Sequence, residues 1–293
     1  MPDRYFLITH SDLDGTGAEI VARRLYDNPI VYRSEANSEC VDEQVRRAML
    51  ERRSDMGGTI VVVDLCPSGD VLKEMDDEGN VFLYDHHVTA AGPCYKYPWA
   101  VVDQSRAGTR LLCEEESKRI GRPVTADMTA FVQAVDAYDR WQLSSPHRLA
   151  GENLNYLHRF IWWGRMVRRG AKVELDDRER WLVECFRENI ARDAERVIKV
   201  AKEGIDEDGH RFVAAIADVG ISDVANAVTQ AYPDAEYLLL VNPMSGGVAL
   251  RTPGGSKFDV SALAKKRGGG GHHEAAGYPF NLDVLKLVGG RPA

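Results

Sequence analysis

The stretch V-F-L-Y-D-H-H, residues 81–87, joins a short apolar run to a polar triplet that begins where the run ends. Two other stretches have the same form: Y-F-L-I-T-H-S-D-L-D-G at residues 5–15 and I-V-V-V-D at residues 60–64. The apolar runs are Tyr5–Ile8, Ile60–Val63 and Val81–Tyr84. Each run is continuous rather than alternating, which is typical of strands buried on both faces of a sheet.

Helical patterns lie between and after these runs. They cover Gly17–Tyr26, Glu39–Arg52, Gly108–Arg119, Ala126–Ala137 and Glu152–Arg169. A strand, a helix and a second strand in succession favour parallel pairing through right-handed crossovers. The sequence therefore predicts an α/β fold whose N-terminal domain is built on a parallel sheet.

The pattern changes after Gly204, where a second and smaller α/β domain is expected. Its predicted elements are the strands Phe212–Ala217, Tyr237–Val241 and Val248–Arg251 and the helix Asp259–Lys266. The segment Glu174–Glu203 lacks proline and glycine and is highly charged, which suits a helical connector. We predict a metal-binding catalytic domain at 1–185, a helical linker at 186–207 and a substrate-binding domain at 208–293, with the active site in the cleft between the domains.

Composition limits the class of protein. The net charge of −8 argues against a protein that coats long nucleic acid, because such binding depends on many Lys and Arg contacts with phosphates. The five cysteines are scattered and include no C-x-x-C pair, which favours a reduced, cytoplasmic setting. The N-terminal stretch lacks the features of a signal peptide, and no apolar run approaches the roughly 20 residues of a membrane span.

Acidic residues and histidines follow each predicted strand. The set comprises His10, Asp12, Asp14, Asp64, Asp85, His86 and His87. Ligands bind beside the carboxyl ends of strands in parallel α/β sheets, so these side chains should meet at one edge. Asp136, after the apolar segment Phe131–Val135, is expected to join them, with Asp139 as its rival.

This donor set indicates divalent cations. Imidazoles mixed with carboxylates suit manganese or a related ion better than calcium, which prefers oxygen alone. Several carboxylates at contact distance repel one another unless cations lie between them. Two ions about 3.5–4 Å apart would remove that repulsion. We predict His10, Asp12, Asp14, Asp64, His86 and Asp136 as metal ligands.

A second feature is the stretch G-G-G-G-H-H-E-A-A-G at residues 268–277. Consecutive glycines let the backbone approach a ligand closely and turn its N–H groups toward an anion. The predicted substrate-binding residues are Arg251, Gly269, Gly270, Gly271 and His272. Arg251, which leaves a predicted strand, and His272 would supply side-chain donors to phosphate.

The combination of H-S-D-L-D-G, D-H-H and G-G-G-G-H-H-E-A-A-G resembles the DHH phosphoesterase superfamily, in particular its branch with a DHH-associated C-terminal domain. The resemblance covers nearly the whole chain. It implies two divalent ions, most often Mn²⁺ with Mg²⁺ or Co²⁺ as alternatives. His10 and Asp12 would bind one ion, Asp14, His86 and Asp136 the other, and Asp64 both. The catalytic residues would be Asp85, which orients the histidines, and His87, which lies near the substrate phosphate.

Within that branch the leading expectation is a nanoRNase-like phosphodiesterase that hydrolyses short oligonucleotides. The length of the chain, without the further domains of full RecJ nucleases, favours a short substrate. A pAp phosphatase and a cyclic-dinucleotide phosphodiesterase are the alternatives, and a catalytically silent nucleotide-binding protein is a further one. A homodimer is compatible with the sequence, and no membrane partner is expected.

Overall fold

The computed structural model describes residues 4–54, 57–142, 144–217, 221–244, 246–253, 256–271 and 273–280. The chain forms two compact units, Met1–Val183 and Glu184–Ala293. Each unit contains one β-sheet, and the two sheets differ in how their strands pair.

The first unit is built on a five-stranded sheet. Its strands are β1 (Tyr5–His10), β2 (Ile30–Ser34), β3 (Thr59–Val63), β4 (Val81–Asp85) and β5 (Ala100–Val102). They lie in the order β2-β1-β3-β4-β5, and every neighbouring pair is parallel. This confirms the predicted parallel sheet. The sequence patterns missed β2 and β5, which are the edge strands and are less buried than the three central ones.

Seven helices precede residue 170 in the described part of the first unit. They are α1 (Leu13–Leu25), α2 (Ser38–Ser54), α3 (Gly69–Glu78), α4 (Val88–Cys94), α5 (Gly108–Ile120), α6 (Ala126–Asp139) and α7 (Arg148–Arg169). The first five contact the sheet, and the last two pack mainly on other helices. Alternate residues of the central strands point to opposite faces, and both faces are covered by helices. On one face Phe6, Ile60 and Leu83 pack in a core with residues of α2 and α3.

The order of the strands decides where the polar residues meet. His10 is the last residue of β1, Asp85 is the last residue of β4, and Asp64 directly follows β3. Because β1, β3 and β4 are adjacent and parallel, their carboxyl ends lie side by side. Pairing thus places the three motifs at one edge of the first sheet.

The second unit contains a mixed six-stranded sheet. Its strands are β6 (Lys202–Ile205), β7 (Arg211–Ile216), β8 (Tyr237–Asn242), β9 (Gly247–Arg251), β10 (Gly270–Gly271) and β11 (Ala275–Pro279). The order is β10-β11-β9-β8-β7-β6, with β7 and β8 parallel and the other pairs antiparallel. Among the described residues that follow β6, the helices are α9 (Ile221–Ala231) and α10 (Val260–Lys266). These two sheets confirm the predicted fold class.

The connector between the units is a 24-residue helix, α8 (Asp177–Val200). Its C-terminal half carries Ala194 and Val197, which pack against β7 and β8. β6 follows at once and pairs with β7, so the second sheet begins at Lys202 and inside the segment predicted as a linker. None of the helices in the described part of the chain combines the length and the hydropathy that crossing a membrane requires.

Candidate metal centre

Two groups of possible metal ligands lie at the carboxyl edge of the first sheet. One comprises His10, Asp12 and Asp64, and the other comprises Asp14, His86 and Asp139. Within each group one ligand atom from every residue lies within 4.8 Å of the others. A further group joins Asp64 to Asp85, His86 and His87. The sequence-predicted residues therefore converge, with one exception at Asp136.

Asp64 lies between the two groups. Its Oδ1 is 3.1 Å from Nε2 of His86, and its Oδ2 is 3.9 Å from Nδ1 of His10. The residue is buried and has a φ of 61°, in the left-handed region that few non-glycine residues adopt. Such a conformation costs of order 1–3 kcal/mol and is concentrated at functional sites. The turn after β3 thus directs one carboxylate oxygen toward each histidine.

Asp12 and His10 form the more exposed side of the centre. The Asp12 side chain caps α1 by accepting a hydrogen bond of 2.9 Å from the amide of Gly15, and its other oxygen lies 3.0 Å from Nδ1 of His10. The hydrogen bond with Asp12 raises the pKa of His10. Glycine is required at position 15, because a Cβ there would lie only 2.0 Å from the carbonyl oxygen of His10.

Asp14 is held by the N-terminus of α5. Its Oδ2 accepts a hydrogen bond from the amide of Gly108 at 2.8 Å, and its Oδ1 accepts one from the amide of Thr109 at 2.9 Å. Helix N-termini bind anions in this way. Even so, burial, together with the charge of Asp12, raises the pKa of Asp14 to about 7. The local hydrogen bonds position this carboxylate. They lower its pKa less than burial and the charge of Asp12 raise it.

Asp85 organises the two histidines of the D-H-H triplet. Its Oδ1 accepts hydrogen bonds from the amides of His86 at 2.7 Å and His87 at 3.1 Å, and lies 2.7 Å from Nδ1 of His87. Burial opposes ionisation, but these hydrogen bonds hold the pKa of Asp85 below its usual range. Burial also lowers the pKa of His87, yet the Asp85 partner outweighs it and leaves that pKa raised.

The two aspartates near the end of α6, Asp136 and Asp139, have different partners. Asp139 has Oδ2 3.3 Å from Nε2 of His86 and belongs to the second ligand group. Asp136 instead accepts a hydrogen bond from the amide of Ala107 at 2.7 Å and from Arg110 at 3.1 Å. These contacts do not support the prediction that Asp136 is a metal ligand. The reason is helical geometry, since residues three positions apart project in related but different directions.

The carboxylates of the centre repel one another unless cations lie between them. Burial, followed by the charges of Asp14 and Asp12, raises the pKa of Asp64 and of Asp139 well above the usual range. Oδ2 of Asp139 is buried and accepts no hydrogen bond from the residues that the structure describes. Carboxylates that face one another in this way are stabilised by divalent ions. The donor set, carboxylates with imidazoles, fits such ions.

In the second unit the glycine-rich stretch forms a narrow hairpin rather than an open loop. Gly270 and Gly271 pair with Gly277 and Ala276 of β11. A shallow groove beside them is also lined by Arg251, whose Nη1 donates to the carbonyl oxygen of Leu250 at 2.9 Å. Gly269 directly precedes this hairpin. His272 lies outside the described residues.

Two contributors to the site were not found from the sequence. Gly108 and Thr109 hold Asp14 through their backbone amides, which no side-chain motif reveals. A Cβ at position 108 would lie 2.8 Å from Oδ2 of Asp14, so the close approach needs glycine. The signal available was the stretch R-A-G-T at residues 106–109, directly before a predicted helix.

Known proteins of similar sequence or fold match nearly the whole of this chain. No family model matches the chain. The chain is 25% identical to oligoribonuclease NrnB of Bacillus subtilis (strain 168) over 303 aligned positions, covering 97% of this chain and 74% of that protein. Among solved structures, it is similar to the pGpG-specific phosphodiesterase PggH of Vibrio cholerae, with a TM-score of 0.56, 14% identity and coverage of 98% and 96%.

It is also similar to RecJ of Thermus thermophilus in complex with Mn²⁺, with a TM-score of 0.59 and 16% identity. The match covers 98% of this chain and 51% of that RecJ chain. These proteins share the two-domain fold of this chain. The sequence is similar to that of an oligoribonuclease, and the fold is similar to those of DHH-domain, RecJ and pGpG-phosphodiesterase structures.

Proposed function

We propose that this protein is a divalent-metal-dependent phosphodiesterase that hydrolyses short oligonucleotides. The observation that carries the proposal is the convergence of buried Asp14 and Asp64 and half-buried Asp139 on His86, each carboxylate with a raised pKa. The relatives support the substrate class, since one is named an oligoribonuclease and another a pGpG-specific phosphodiesterase.

The centre is suited to two ions. His10 and Asp12 would bind one ion, Asp14, His86 and Asp139 the other, and Asp64 would contribute an oxygen to each. Four carboxylates would then face two divalent ions, so that the charges balance. Mn²⁺ is the ion of choice because mixed imidazole and carboxylate donors suit it, and a RecJ neighbour binds it. Divalent ions at such a site activate water for attack on phosphorus and neutralise phosphate charge.

His87 is placed to contact the substrate. Its side chain is 40% exposed, whereas that of His86 is 8% exposed and directed at Asp64 and Asp139. Asp85 fixes the ring through Nδ1 and raises the pKa of His87, which favours a protonated ring that can donate to a phosphate oxygen. A donor aimed at the oxygens that gain charge in the transition state accelerates the reaction.

The groove of the second unit would bind a phosphate of the substrate. Arg251, Gly270 and Gly271 border this groove. Gly269 and His272 adjoin the two glycines in sequence. Backbone N–H groups and a guanidinium together suit a terminal phosphate.

The test is a hydrolysis panel with purified protein and Mn²⁺. The panel holds labelled dinucleotides to hexanucleotides, a long single strand, pAp, a cyclic dinucleotide and pyrophosphate. We expect fastest turnover of the shortest linear oligonucleotides and loss of turnover in EDTA that Mn²⁺ restores. Preferential turnover of pAp or of the cyclic dinucleotide would replace the proposed substrate with that one. If the metal-loaded protein hydrolyses none of these phosphoesters, the proposal that it is a phosphodiesterase is wrong.

A matched pair of variants tests the ligand assignment. Asp139→Asn should reduce kcat/KM by about 100-fold or more, because it removes a charged ligand. Asp136→Asn, three residues earlier on the same helix, should retain most activity and instead lower thermal stability, since its partners are Ala107 and Arg110. The reverse pattern would restore Asp136 as the ligand.

A further inference from the structure

Helix α7 is broken beside an exposed aromatic segment. The break is at Trp162, whose φ of 57° and ψ of 146° are not helical. A bulky residue with positive φ is an outlier that a surrounding structure must hold in place. The segment R-F-I-W-W-G-R, residues 159–165, carries three exposed rings: Phe160 is 44% exposed, Trp162 71% and Trp163 37%. Both tryptophans therefore lie at the break and are exposed.

This aromatic segment lies next to the metal centre. The guanidinium of Arg33 lies 4.3 Å from the centroid of the Trp163 ring. The same guanidinium donates from Nη1 to the carbonyl oxygen of His10 at 3.3 Å, and it pairs with buried Glu19. Trp163 is therefore separated from a predicted metal ligand by a single side chain.

A second contact attaches the same part of α7 to the centre. Nε2 of His158 lies 2.9 Å from Oγ1 of Thr16, in the first turn of α1. Arg33 also donates to Oγ1 of Thr16, at 3.2 Å. The aromatic segment is thus fixed to the two strand ends, of β1 and β2, that border the acidic edge.

The charge of the segment is the opposite of that of the chain. Residues 159–169 contain four arginines and no acidic residue, although the net charge of the protein is −8. Aromatic rings interleaved with arginines are typical of surfaces that bind single-stranded nucleic acid, where bases stack on rings and phosphates contact cations. A local positive charge beside an acidic centre suits a substrate that is itself an anion.

We propose that Trp163, backed by Arg33 and flanked by Trp162, is a stacking platform for a nucleobase of the substrate, on the nucleotide that adjoins the cleaved phosphodiester. This rests on the proposed function. Stacking on a ring does not discriminate strongly between bases, so the platform selects nucleotides over simple phosphoesters rather than one sequence over another. The position, one side chain from His10, fits a base attached to a phosphate at the centre.

The experiment compares two phosphodiesters that differ in whether they carry bases: a dinucleotide and bis(p-nitrophenyl) phosphate, both with Mn²⁺. For Trp163→Leu we expect KM for the dinucleotide to rise about tenfold, since stacking contributes about 1–3 kcal/mol per base. We expect kcat for the dinucleotide and turnover of the small diester to stay within about twofold. The matched control is Trp181→Leu, which removes another exposed tryptophan, on α8. It should leave the kinetic constants for both substrates unchanged.

Binding without turnover separates this proposal from the enzymatic one. With Ca²⁺ in place of Mn²⁺, the dinucleotide should quench tryptophan fluorescence in the wild type and in Trp181→Leu, and much less in Trp163→Leu. Equal quenching in all three proteins, or an unchanged KM in Trp163→Leu, would show that Trp163 is not a stacking platform. Neither result would contradict the proposed hydrolysis. A change of oligomeric state in Trp163→Leu with unchanged KM would also overturn it and identify the segment as a protein interface. The protein could also show quenching that depends on Trp163 but hydrolyse nothing. That result would support nucleobase stacking on Trp163 and would contradict the proposed phosphodiesterase activity.

Discussion

Two buried acidic regions of the first unit share the same secondary-structure elements but have opposite electrostatics. One surrounds Glu116 of α5, whose carboxylate accepts hydrogen bonds from Tyr26, Tyr84 at 2.7 Å and Arg119 at 2.8 Å. The other is the metal centre. Tyr84 precedes Asp85 in β4, and the N-terminus of α5 holds Asp14, so each element contributes to both regions.

The pKa directions distinguish the two regions. Burial would raise the pKa of Glu116, but its donors Arg119, Tyr26 and Tyr84 hold it below the usual range. At the metal centre, burial and neighbouring carboxylates raise the pKa of Asp14 to about 7 and raise the pKa of Asp64 well above its usual range. A buried carboxylate that serves the fold is surrounded by donors, whereas the carboxylates of the centre face one another and need a cation from outside.

The largest effect should come from Asp64→Asn. Loss of the carboxylate between the two ligand groups should lower kcat/KM by about 1000-fold or more. The same change should leave the melting temperature of the EDTA-treated protein unchanged or raise it, because it removes one of several mutually repelling carboxylates. Parallel assays with Mn²⁺ and thermal melts in EDTA measure both. A marked fall in the EDTA melting temperature would show that Asp64 serves stability.

Glu116→Gln should have the opposite profile. It leaves Arg119 and two tyrosines without a charged partner in a buried position, so we expect a loss of about 2–3 kcal/mol in the free energy of unfolding. Activity at temperatures below the new melting transition should remain close to the wild type. Urea denaturation and the dinucleotide assay test this, and Arg119→Lys, which keeps the charge, should cost less.

Asp85→Asn should give an intermediate effect on activity. Asparagine can still accept the amide hydrogen bonds of His86 and His87 but does not supply the charge that raises the pKa of His87. Partners that orient metal-binding histidines typically contribute about 10–100-fold in activity or metal affinity. Titration with Mn²⁺ and the pH–rate profile are the measurements. A variant with wild-type metal affinity and an unshifted profile would contradict the role of Asp85.

The smallest effect should be a pH dependence of opposite sign in the two regions. Raised carboxyl pKa values at the centre stabilise the metal-free protein at low pH, and this contribution is lost as pH rises through about 7, the pKa of Asp14. The lowered pKa of Glu116 gives a contribution that is lost as pH falls below its unfolded value of about 4.3.

Melting in EDTA should therefore decline between about pH 5 and pH 8. The rise in melting temperature caused by Mn²⁺ should grow over the same range, because the ion competes with protons for the carboxylates. Asp64→Asn should weaken both trends, and Glu116→Gln should weaken neither. A Mn²⁺ effect that is constant across this pH range would contradict the raised pKa values.

The sequence by itself determined the parallel sheet and most of the metal centre. Continuous apolar runs predict buried strands, and residues that directly follow such strands must meet at one edge, so His10, Asp64 and His86 could be placed together without coordinates. Chain order was sufficient because each residue is attached to a strand end, where the backbone direction is fixed.

Only the tertiary structure decided what depends on contacts between elements distant in sequence. Asp136 and Asp139 lie three residues apart on α6, and the packing of that helix selects which one reaches His86. The backbone amides of α5 that hold Asp14, and the pairing of Trp163 with Arg33, join residues separated by about a hundred positions. No local pattern encodes such pairs, since they arise when helices pack onto the sheet and bring separate faces together.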